Sequence, residues 1–305
     1  ERPEVIYHEE MVSGSLAPGM NTHVWQPEDA CCGTVYIVHG LGEHGYRYRR
    51  IASHLTAHGL AVCAPDLPGH GKTPGERGHI ASLLDAAAAV ADLPEKSTTT
   101  KTPCFLFGHS MGGTAVLSYL ARGPSEAFDG FIASSPFFRA CSPPSIMRAA
   151  VVKALRKLAP TVSVGNGLNA SHMSRLPSVV WEYTQDPCVH DRVSVQLASN
   201  LLETGASLLK QGLQTDRNLL VLQGASDRIC SNRYARRFVE RSSHNIQYEE
   251  FAGAYHELHN DASSTQHCLA VAEWISVCEV AGPIADAERF ARGNRLGLWH
   301  AGGVV

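Results

Sequence analysis

The chain has 305 residues, of which 44% are hydrophobic and 18% are charged, so it can bury the core of one large domain or two small ones. Its 26 basic and 29 acidic residues leave a net charge of −3, which excludes the basic field that nucleic-acid-binding proteins use. No apolar run reaches the roughly 18 residues that a membrane-spanning helix needs.

Nine cysteines are scattered along the chain without a C-x-x-C pair. An odd, scattered set is typical of free thiols in a reducing compartment rather than of a disulfide framework. The first ten residues are polar and lack the apolar core of a signal peptide. We therefore expect a cytoplasmic protein, although the absence of an initial Met leaves a removed leader open.

Short apolar runs, which predict strands, alternate with helical patterns along most of the chain. Residues 5–7 and 23–25 predict a lead-in to the sheet, formed by two antiparallel strands that precede the others. The strands that follow are predicted at 34–38, 60–64, 104–107, 130–133, 219–222 and 246–251. These runs are apolar at successive positions, which is typical of strands buried on both faces.

Helical patterns lie between these strands, at residues 47–58, 80–91, 110–122, 233–241 and 263–277. An alternation of strands and helices predicts an α/β fold in which helices cover both faces of a mostly parallel sheet.

The segment 137–215 interrupts this alternation, because it contains no convincing strand. It has two long helical patterns, at 145–158 and 189–211, joined by loops rich in Pro and Gly. A helical insertion in an α/β core is expected to cap the substrate site. The predicted organisation is therefore a core of residues 1–136 and 216–305, with a helical cap formed by residues 137–215.

Residues 108–112 fit the pattern G-x-S-x-G with Ser110 at its centre. A predicted strand precedes this motif and a predicted helix follows it, which is the setting of a nucleophile elbow. The flanking glycines permit a strained turn, because a side chain there would clash with a neighbouring strand or helix. We predict that Ser110 is a nucleophile. The alternative is a chance Gly-Ser turn that leads into a helix.

A serine hydroxyl needs a base, and the base needs an acid that orients it. Asp227 and His256 each follow a predicted strand, in the chain order Ser, Asp, His that this type of site uses. We predict that Asp227 orients His256 and that His256 accepts the Ser110 proton. The alternative is an ordinary turn aspartate and one of 16 scattered histidines.

The predicted strand 34–38 runs into the glycine-rich loop 39–44. Such a loop lets the backbone approach a substrate closely, so we predict an oxyanion hole formed by the backbone amides of Leu41 and Met111. Glu43, His44 and Arg47 are near the same loop and are candidates for the end of the pocket that holds a polar leaving group. A solvated turn remains the alternative for these charges.

Patterns that would indicate a metal or a nucleotide are incomplete. His256 and His259 are one residue too close for H-E-x-x-H, and His39 and His44 fit no standard zinc signature. Residues 71–73 look like the end of a phosphate loop but lack its upstream glycine. We therefore predict no metal and no cofactor.

Taken together, these motifs resemble the monoacylglycerol lipase and lysophospholipase branch of the α/β-hydrolase family, over residues 11 to 275. The matching stretches are His39-Gly-Leu-Gly-Glu-His44 with Arg47-Tyr48, Asp66-Leu-Pro-Gly-His-Gly71 with Gly75-Glu-Arg77, Gly108-His-Ser-Met-Gly-Gly113, Tyr183-Thr-Gln-Asp-Pro187, Gln223-Gly-Ala-Ser-Asp-Arg228 and Gly253-Ala-Tyr-His-Glu-Leu-His259.

The resemblance implies an α/β-hydrolase fold and hydrolysis of a monoacylglycerol to fatty acid and glycerol through an acyl-enzyme. It also implies an apolar acyl tunnel under the cap. Glu43, Arg47, Tyr183 and His259 fall where that family lines its glycerol-end pocket. The cap and the tail beyond residue 281 depart from the family.

The departures leave other functions open. The alternatives are a lysophospholipase, a thioesterase or carboxylesterase, and an inactive hydrolase fold that serves as a binding protein. The predicted helix 145–158 raises a separate question, because its apolar and basic residues are typical of a helix in a lipid interface. These residues are Met147, Val151, Leu155, Leu158, Arg148, Lys153, Arg156 and Lys157. Peripheral membrane contact through the cap and packing of this apolar stripe on the body are both open.

Overall fold

The protein is built around a central sheet, seen in a computed structural model that describes residues 5–13, 19–93, 102–123, 126–141 and 158–281. The sheet strands are β1 Val5–Val12, β2 Met20–Pro27, β3 Gly33–Val38, β4 Leu60–Pro65, β5 Cys104–His109, β6 Gly130–Ser134, β9 Asn218–Gly224 and β10 Gln247–Phe251. Their spatial order is β1-β2-β4-β3-β5-β6-β9-β10. β1 and β2 form an antiparallel pair and β2 runs antiparallel to β4, whereas the other neighbours are parallel, which confirms the predicted sheet and lead-in.

Helices cover both faces of this sheet. The α-helices that the described residues cover in full are α1 Arg49–Thr56, α2 Leu83–Ala91, α3 Met111–Ala121, α4 Pro177–Gln185, α5 Val195–Gln211, α6 Asn232–Glu240 and α7 Ser264–Ala281. Short 3-10 helices occupy Gly45–Tyr48, Ala170–His172 and Leu258–Asn260. Among the described helices, none is both long enough and apolar enough to cross a membrane.

The apolar sequence of the central strand β5 is explained by the burial of both of its faces. Phe105 and Phe107 belong to the hydrophobic core that contains α1 and α7, while Leu106 belongs to the core that contains α2, α3 and α6. Successive side chains of a strand point to opposite faces, so both faces of this strand are buried. The alternation of strands and helices thus places one core on each side of the sheet.

The segment between β6 and β9 differs from the prediction in three respects. Short strands β7 Ser163–Gly165 and β8 Arg192–Ser194 form an antiparallel pair, so the expectation of no strand was wrong. The helix predicted from residue 189 begins at Val195, because β8 precedes it and the Ser194 side chain caps it by accepting a hydrogen bond from the Leu197 amide. Helix α4 was not predicted. Apart from Leu158, the predicted helix 145–158 lies outside the described residues.

The carboxyl ends of four parallel strands meet at one edge of the sheet. β3 leads into the loop 39–44, β5 into Ser110, β9 into the turn that holds Asp227, and β10 into the loop that holds His256. Open α/β sheets bind their ligands at this edge. The topology therefore gathers at one place the groups that the sequence predicted for the site.

Candidate active site

Ser110 sits in a sharp turn between β5 and α3. Its backbone has a φ of 54° and a ψ of −116°, in the region that non-glycine residues avoid. A hydrogen bond from its amide to the Ser134 carbonyl, at 2.9 Å, ties the turn to β6. A Cβ on Gly112 would lie 1.9 Å from the Val38 carbonyl oxygen, so only glycine lets α3 approach β3 this closely. Local strain and close packing together hold the hydroxyl of Ser110 at the sheet edge.

The side chains of Ser110, His256 and Asp227 form one hydrogen-bonded chain. His256 Nε2 is 2.9 Å from Ser110 Oγ, and His256 Nδ1 is 2.8 Å from Asp227 Oδ2. Because an ionised carboxylate only accepts, Nδ1 carries the proton and donates to Asp227, which leaves Nε2 to accept from the serine hydroxyl. The arrangement can move a proton from Ser110 to His256.

The Asp227 carboxylate is held by three further donors. The amides of Ile229 and Cys230 donate to Oδ1 at 2.8 and 2.9 Å, and Gln223 Nε2 donates to Oδ2 at 2.9 Å. These hydrogen bonds fix the orientation of the Asp227 carboxylate toward the imidazole. Gln223 was not predicted as a site residue, although it begins the matching stretch of residues 223–228 and lies on β9 four residues before Asp227.

The environment of His256 changes its basicity. Burial lowers the pKa of its imidazole, but the charge and hydrogen bond of Asp227, with smaller contributions from Glu257 and Glu43, outweigh burial and raise the pKa above its usual 6.5. A raised pKa makes the imidazole a better proton acceptor from Ser110. It also means that the imidazole becomes protonated at a higher pH than an ordinary histidine does.

The loop 39–44 lies directly against the nucleophile. A Cβ on Gly40 would be 3.4 Å from the Ser110 Cβ, and the next residue in the loop is Leu41. Met111 follows Ser110 as the first residue of α3 and is buried. The two amides predicted to receive an oxyanion therefore belong to segments that adjoin Ser110.

The four residues that the family resemblance assigns to the leaving-group end lie in one cluster. The guanidinium carbon of Arg47 is 4.8 Å from the ring centroid of Tyr183. His259 stacks on Tyr48 with centroids 4.6 Å apart, and the Tyr48 hydroxyl donates to Glu43 Oε1 at 2.7 Å. Tyr48 thus links His259 to Glu43. The sequence did not predict this connection, although Tyr48 belongs to the motif that contains Arg47.

Arg47 is the charged centre of this cluster. Its Nη2 is 2.8 and 2.6 Å from the two carboxylate oxygens of Glu257, and its Nε is 3.4 Å from Glu43 Oε2. Asn260 adds a hydrogen bond to Glu257 at 2.9 Å. Glu257 was not predicted as a site residue, even though it directly follows His256. Burial, together with the nearby charge of Glu257, raises the pKa of the Glu43 carboxyl.

The family model described as Serine aminopeptidase, S33 matches residues 29–263. The chain belongs to this family. A monoacylglycerol lipase of Mycolicibacterium smegmatis is 34% identical over 83% of this chain and 91% of its own length. An uncharacterized abhydrolase domain-containing protein of Dictyostelium discoideum is 29% identical over 84% of this chain, which spans 27% of that longer protein.

A solved structure supports the same assignment. The crystal structure of the monoacylglycerol lipase of Paleococcus ferrophilus is 32% identical, with a TM-score of 0.75, and covers 85% of this chain and 99% of that one. The α/β-hydrolase fold and the resemblance seen in the motifs are therefore confirmed. The S33 chain is a serine hydrolase.

Among the described residues of this S33 hydrolase, two buried groups bring together atoms of the kind that bind metals. They are His23, His44 and Asp66, and the group Asp227, Cys230 and His256, each with ligand atoms within 4.8 Å of one another. The groups described here are already engaged by protein atoms, since Asp66 accepts from backbone amides and His44 Nε2 is 2.9 Å from Asp186 Oδ2. The geometry needs no ion to satisfy these atoms, and the absence of a metal stays a prediction.

Proposed function

We propose that this protein hydrolyses the ester bond of a monoacylglycerol to a fatty acid and glycerol, with Ser110 as nucleophile. The observation that carries the proposal is the unbroken hydrogen-bonded chain from Ser110 Oγ through His256 to Asp227. Its setting in a chain similar to two monoacylglycerol lipases supports the substrate class.

The first half-reaction forms an acyl-enzyme. His256 Nε2 accepts the hydroxyl proton while Ser110 Oγ attacks the ester carbonyl carbon. Negative charge develops on the carbonyl oxygen, where the amides of Leu41 and Met111 are proposed to donate hydrogen bonds, and the N-terminus of α3 favours the same charge. His256 then donates its new proton to the glycerol oxygen as the ester bond breaks.

The second half-reaction releases the acid. His256 accepts a proton from water while the water oxygen attacks the acyl carbon, and the imidazolium returns that proton to Ser110 Oγ as the acyl–oxygen bond breaks. Asp227 stabilises the imidazolium in both halves and keeps Nε2 directed at Ser110. The four donors to the Asp227 carboxylate, counting His256, support this role.

The cluster of Glu43, Arg47, Tyr183 and His259 is proposed to form the end of the pocket that receives the glycerol group. Within it, both ring nitrogens of His259 lack a hydrogen-bond partner among the described residues. A buried imidazole without partners is suited to contact hydroxyl groups. Arg47 and Tyr183 lie beside one another in the same cluster.

Residues 137–215 are proposed to cap this site. The His190 amide donates to the Gly42 carbonyl at 2.8 Å, so this segment touches the loop that carries Leu41. Leu197, Leu201 and Leu208 of α5 are buried with the core, which supports packing of this segment on the body of the protein. The acyl tunnel expected beneath it stays a prediction.

The cytoplasm is the proposed location, because an odd, scattered set of nine cysteines without a C-x-x-C pair is typical of a reducing compartment. Peripheral membrane contact through the cap also stays a prediction, because most of the helix proposed for it lies outside the described residues.

The test compares the wild-type protein with Ser110→Ala on a monoacylglycerol, with fatty acid and glycerol release as readouts. We expect Ser110→Ala to lose at least about a thousandfold in kcat while circular dichroism shows an intact fold. A folded and active Ser110→Ala protein would refute the mechanism.

The same assay distinguishes the alternatives. Faster turnover of lysophosphatidylcholine or of an acyl-CoA than of monoacylglycerol would replace the proposed substrate. A wild-type protein that a fluorophosphonate probe does not label at Ser110 would indicate an inactive binding protein.

A further inference from the structure

Gly40, which precedes Leu41, is packed between the side chains of Glu43 and Ser110. A Cβ on Gly40 would lie 2.7 Å from Glu43 Oε1 and 3.4 Å from the Ser110 Cβ, so a side chain there would displace the Glu43 carboxylate. Glycine is also the residue with the most rotational freedom, and a loop that depends on it has no preferred orientation of its own. The orientation of this part of the loop must come from contacts with other residues.

Side chains form hydrogen bonds with the peptide groups on both sides of Gly40. Its N–H donates to Glu43 Oε1 at 2.6 Å, and its carbonyl accepts from His39 Nδ1 at 2.8 Å. The Leu67 amide donates to His39 Nε2 at 2.9 Å, so the ring proton resides on Nδ1. The Gly40 carbonyl and the Leu41 N–H share one planar peptide, so His39 orients the Leu41 N–H through that carbonyl, while Glu43 fixes the preceding peptide and so limits rotation at Gly40.

Glu43 is itself held within a buried network. The Tyr48 hydroxyl donates to the same oxygen that receives the Gly40 amide, and the second oxygen faces Arg47 Nε at 3.4 Å. Arg47 pairs in turn with Glu257, the residue after His256. Each of these four side chains is at most 3% exposed. Glu43 therefore connects the loop beside Ser110 to the loop that carries His256.

We propose that Glu43 is a positioning residue, which holds the Gly40 amide through Oε1 and thereby helps to direct the Leu41 N–H at the developing oxyanion, and that this role, rather than contact with the leaving alcohol, sets its effect on the rate. The proposal rests on the proposed function, in which Ser110 attacks an ester. It deepens that function because it separates Glu43 from the glycerol contacts expected of its neighbours.

The two roles of Glu43 predict different results for different leaving groups. A group that binds glycerol matters only for esters of glycerol, whereas a group that shapes the oxyanion hole matters for every ester. The decisive experiment measures kcat and KM on a monoacylglycerol and on the p-nitrophenyl ester of the same fatty acid.

Two nearly isosteric substitutions isolate the hydrogen bond. Glu43→Met fills the same space without an acceptor, while Glu43→Gln keeps an oxygen for the Gly40 amide. We expect Glu43→Met to lower kcat by roughly 10- to 100-fold on both esters, with KM within about threefold of wild type, since losing a whole oxyanion donor costs about 10²–10³. Glu43→Gln should recover at least about tenfold of that loss.

Glu250→Gln serves as the matched control, because it alters a hydrogen-bonded carboxylate on β10 outside the site, and it should keep the wild-type rates. Circular dichroism establishes that each variant is folded, and Glu43→Ala replaces Glu43→Met if the latter does not fold. A loss confined to the monoacylglycerol would overturn the proposal in favour of glycerol binding. Equal loss in Glu43→Gln and Glu43→Met would overturn it as well, because charge rather than the acceptor would then matter.

The experiment also separates this proposal from the proposed function. A wild-type protein that hydrolyses the p-nitrophenyl ester but not the monoacylglycerol would refute the substrate. The comparison of the Glu43 variants on the p-nitrophenyl ester would still decide the role of Glu43.

Discussion

The two regions that meet above the sheet edge are attached in different ways. The loop beside Ser110 is held to the loop of His256 by a buried network in which Arg47 pairs with Glu257. The segment between β6 and β9 is held to the core partly by pairs near the surface, such as those of Glu182 with Arg49 and Arg50, whose side chains are about one-third exposed. We therefore expect the reaction centre to be rigid, and the segment between β6 and β9, which is the proposed cover, to be more weakly attached.

The physical basis of this difference is solvent screening. A buried charge that loses its partner keeps its desolvation cost, whereas an exposed charge that loses its partner returns to water. The same chemical substitution should therefore have large effects in one region and small effects in the other.

The largest effect is expected at the centre of the rigid region. Asp227→Asn should lower kcat by about 10⁴-fold on any ester, because an amide in this place no longer fixes the His256 tautomer. Steady-state kinetics on the p-nitrophenyl ester measures the loss. Asp129→Asn is the matched control at the opposite end of the sheet, where Asp129 accepts from the Cys104 amide, and it should retain wild-type activity. A kcat of Asp227→Asn within tenfold of wild type would remove Asp227 from the mechanism.

The second largest effect is expected on the free energy of unfolding, in the buried network that contains Arg47 and Glu257. Glu257→Gln should lower the free energy of unfolding by about 3–5 kcal/mol, because it takes from Arg47 its closest ionic partner in a buried site. Urea denaturation followed by circular dichroism provides the measurement. If the loss stayed below about 1 kcal/mol, the network would not be the rigid element that we describe.

The pH dependence of the reaction reports on His256. Its raised pKa means that the imidazole gains a proton, and loses its ability to accept one from Ser110, as the pH falls through a value above the usual 6.5. We expect kcat/KM to decline on the acid side with a midpoint above 6.5, and to fall about tenfold per pH unit below that midpoint. A profile of kcat/KM against pH for the wild-type protein gives the midpoint. A midpoint below 6.5 would contradict the proposed balance between burial and the Asp227 charge.

The smallest effect on the free energy of unfolding is expected in the proposed cover, the segment between β6 and β9. Glu182→Gln removes the same kind of charge as Glu257→Gln, but from pairs that water screens, so the free energy of unfolding should fall by no more than about 1 kcal/mol. Urea denaturation under the conditions used for Glu257→Gln makes the two values comparable. Equal losses in both variants would mean that the cover is attached as firmly as the reaction centre.

Prediction from the sequence was most successful where neighbours in the chain determine the structure. The turn at Ser110 is one example, because a strand, two flanking glycines and a helix within about a dozen residues leave few other conformations. The helix around Arg233 is another, since the structure begins and ends α6 one residue before the predicted bounds. The pairing of β7 with β8 was missed because strands of three residues carry too little periodic pattern.

The residues that support the site were mostly invisible to such reasoning. Glu257 acts on Arg47 through a contact that no local motif describes, because the two residues are 210 residues apart in the chain. Gln223 lies close to Asp227 in the chain, but the motif alone did not indicate its hydrogen bond to the carboxylate. The resemblance assigned Glu43 to the leaving-group pocket, yet its carboxylate accepts hydrogen bonds from Gly40 and Tyr48. Its part in substrate binding stays a prediction that the Glu43 variants test.

By itself, the sequence determined the order of the main sheet strands and the helices between them, and the chain order of Ser110, Asp227 and His256. Apolar periodicity and turn-forming glycines encode these features locally. Only the tertiary structure decided that Arg47 pairs with Glu257, that the Leu67 amide donates to His39, and that His190 meets the loop at Gly42. Those choices depend on burial and hydrogen-bond geometry between distant segments, which become defined only when the carboxyl ends of the strands come together.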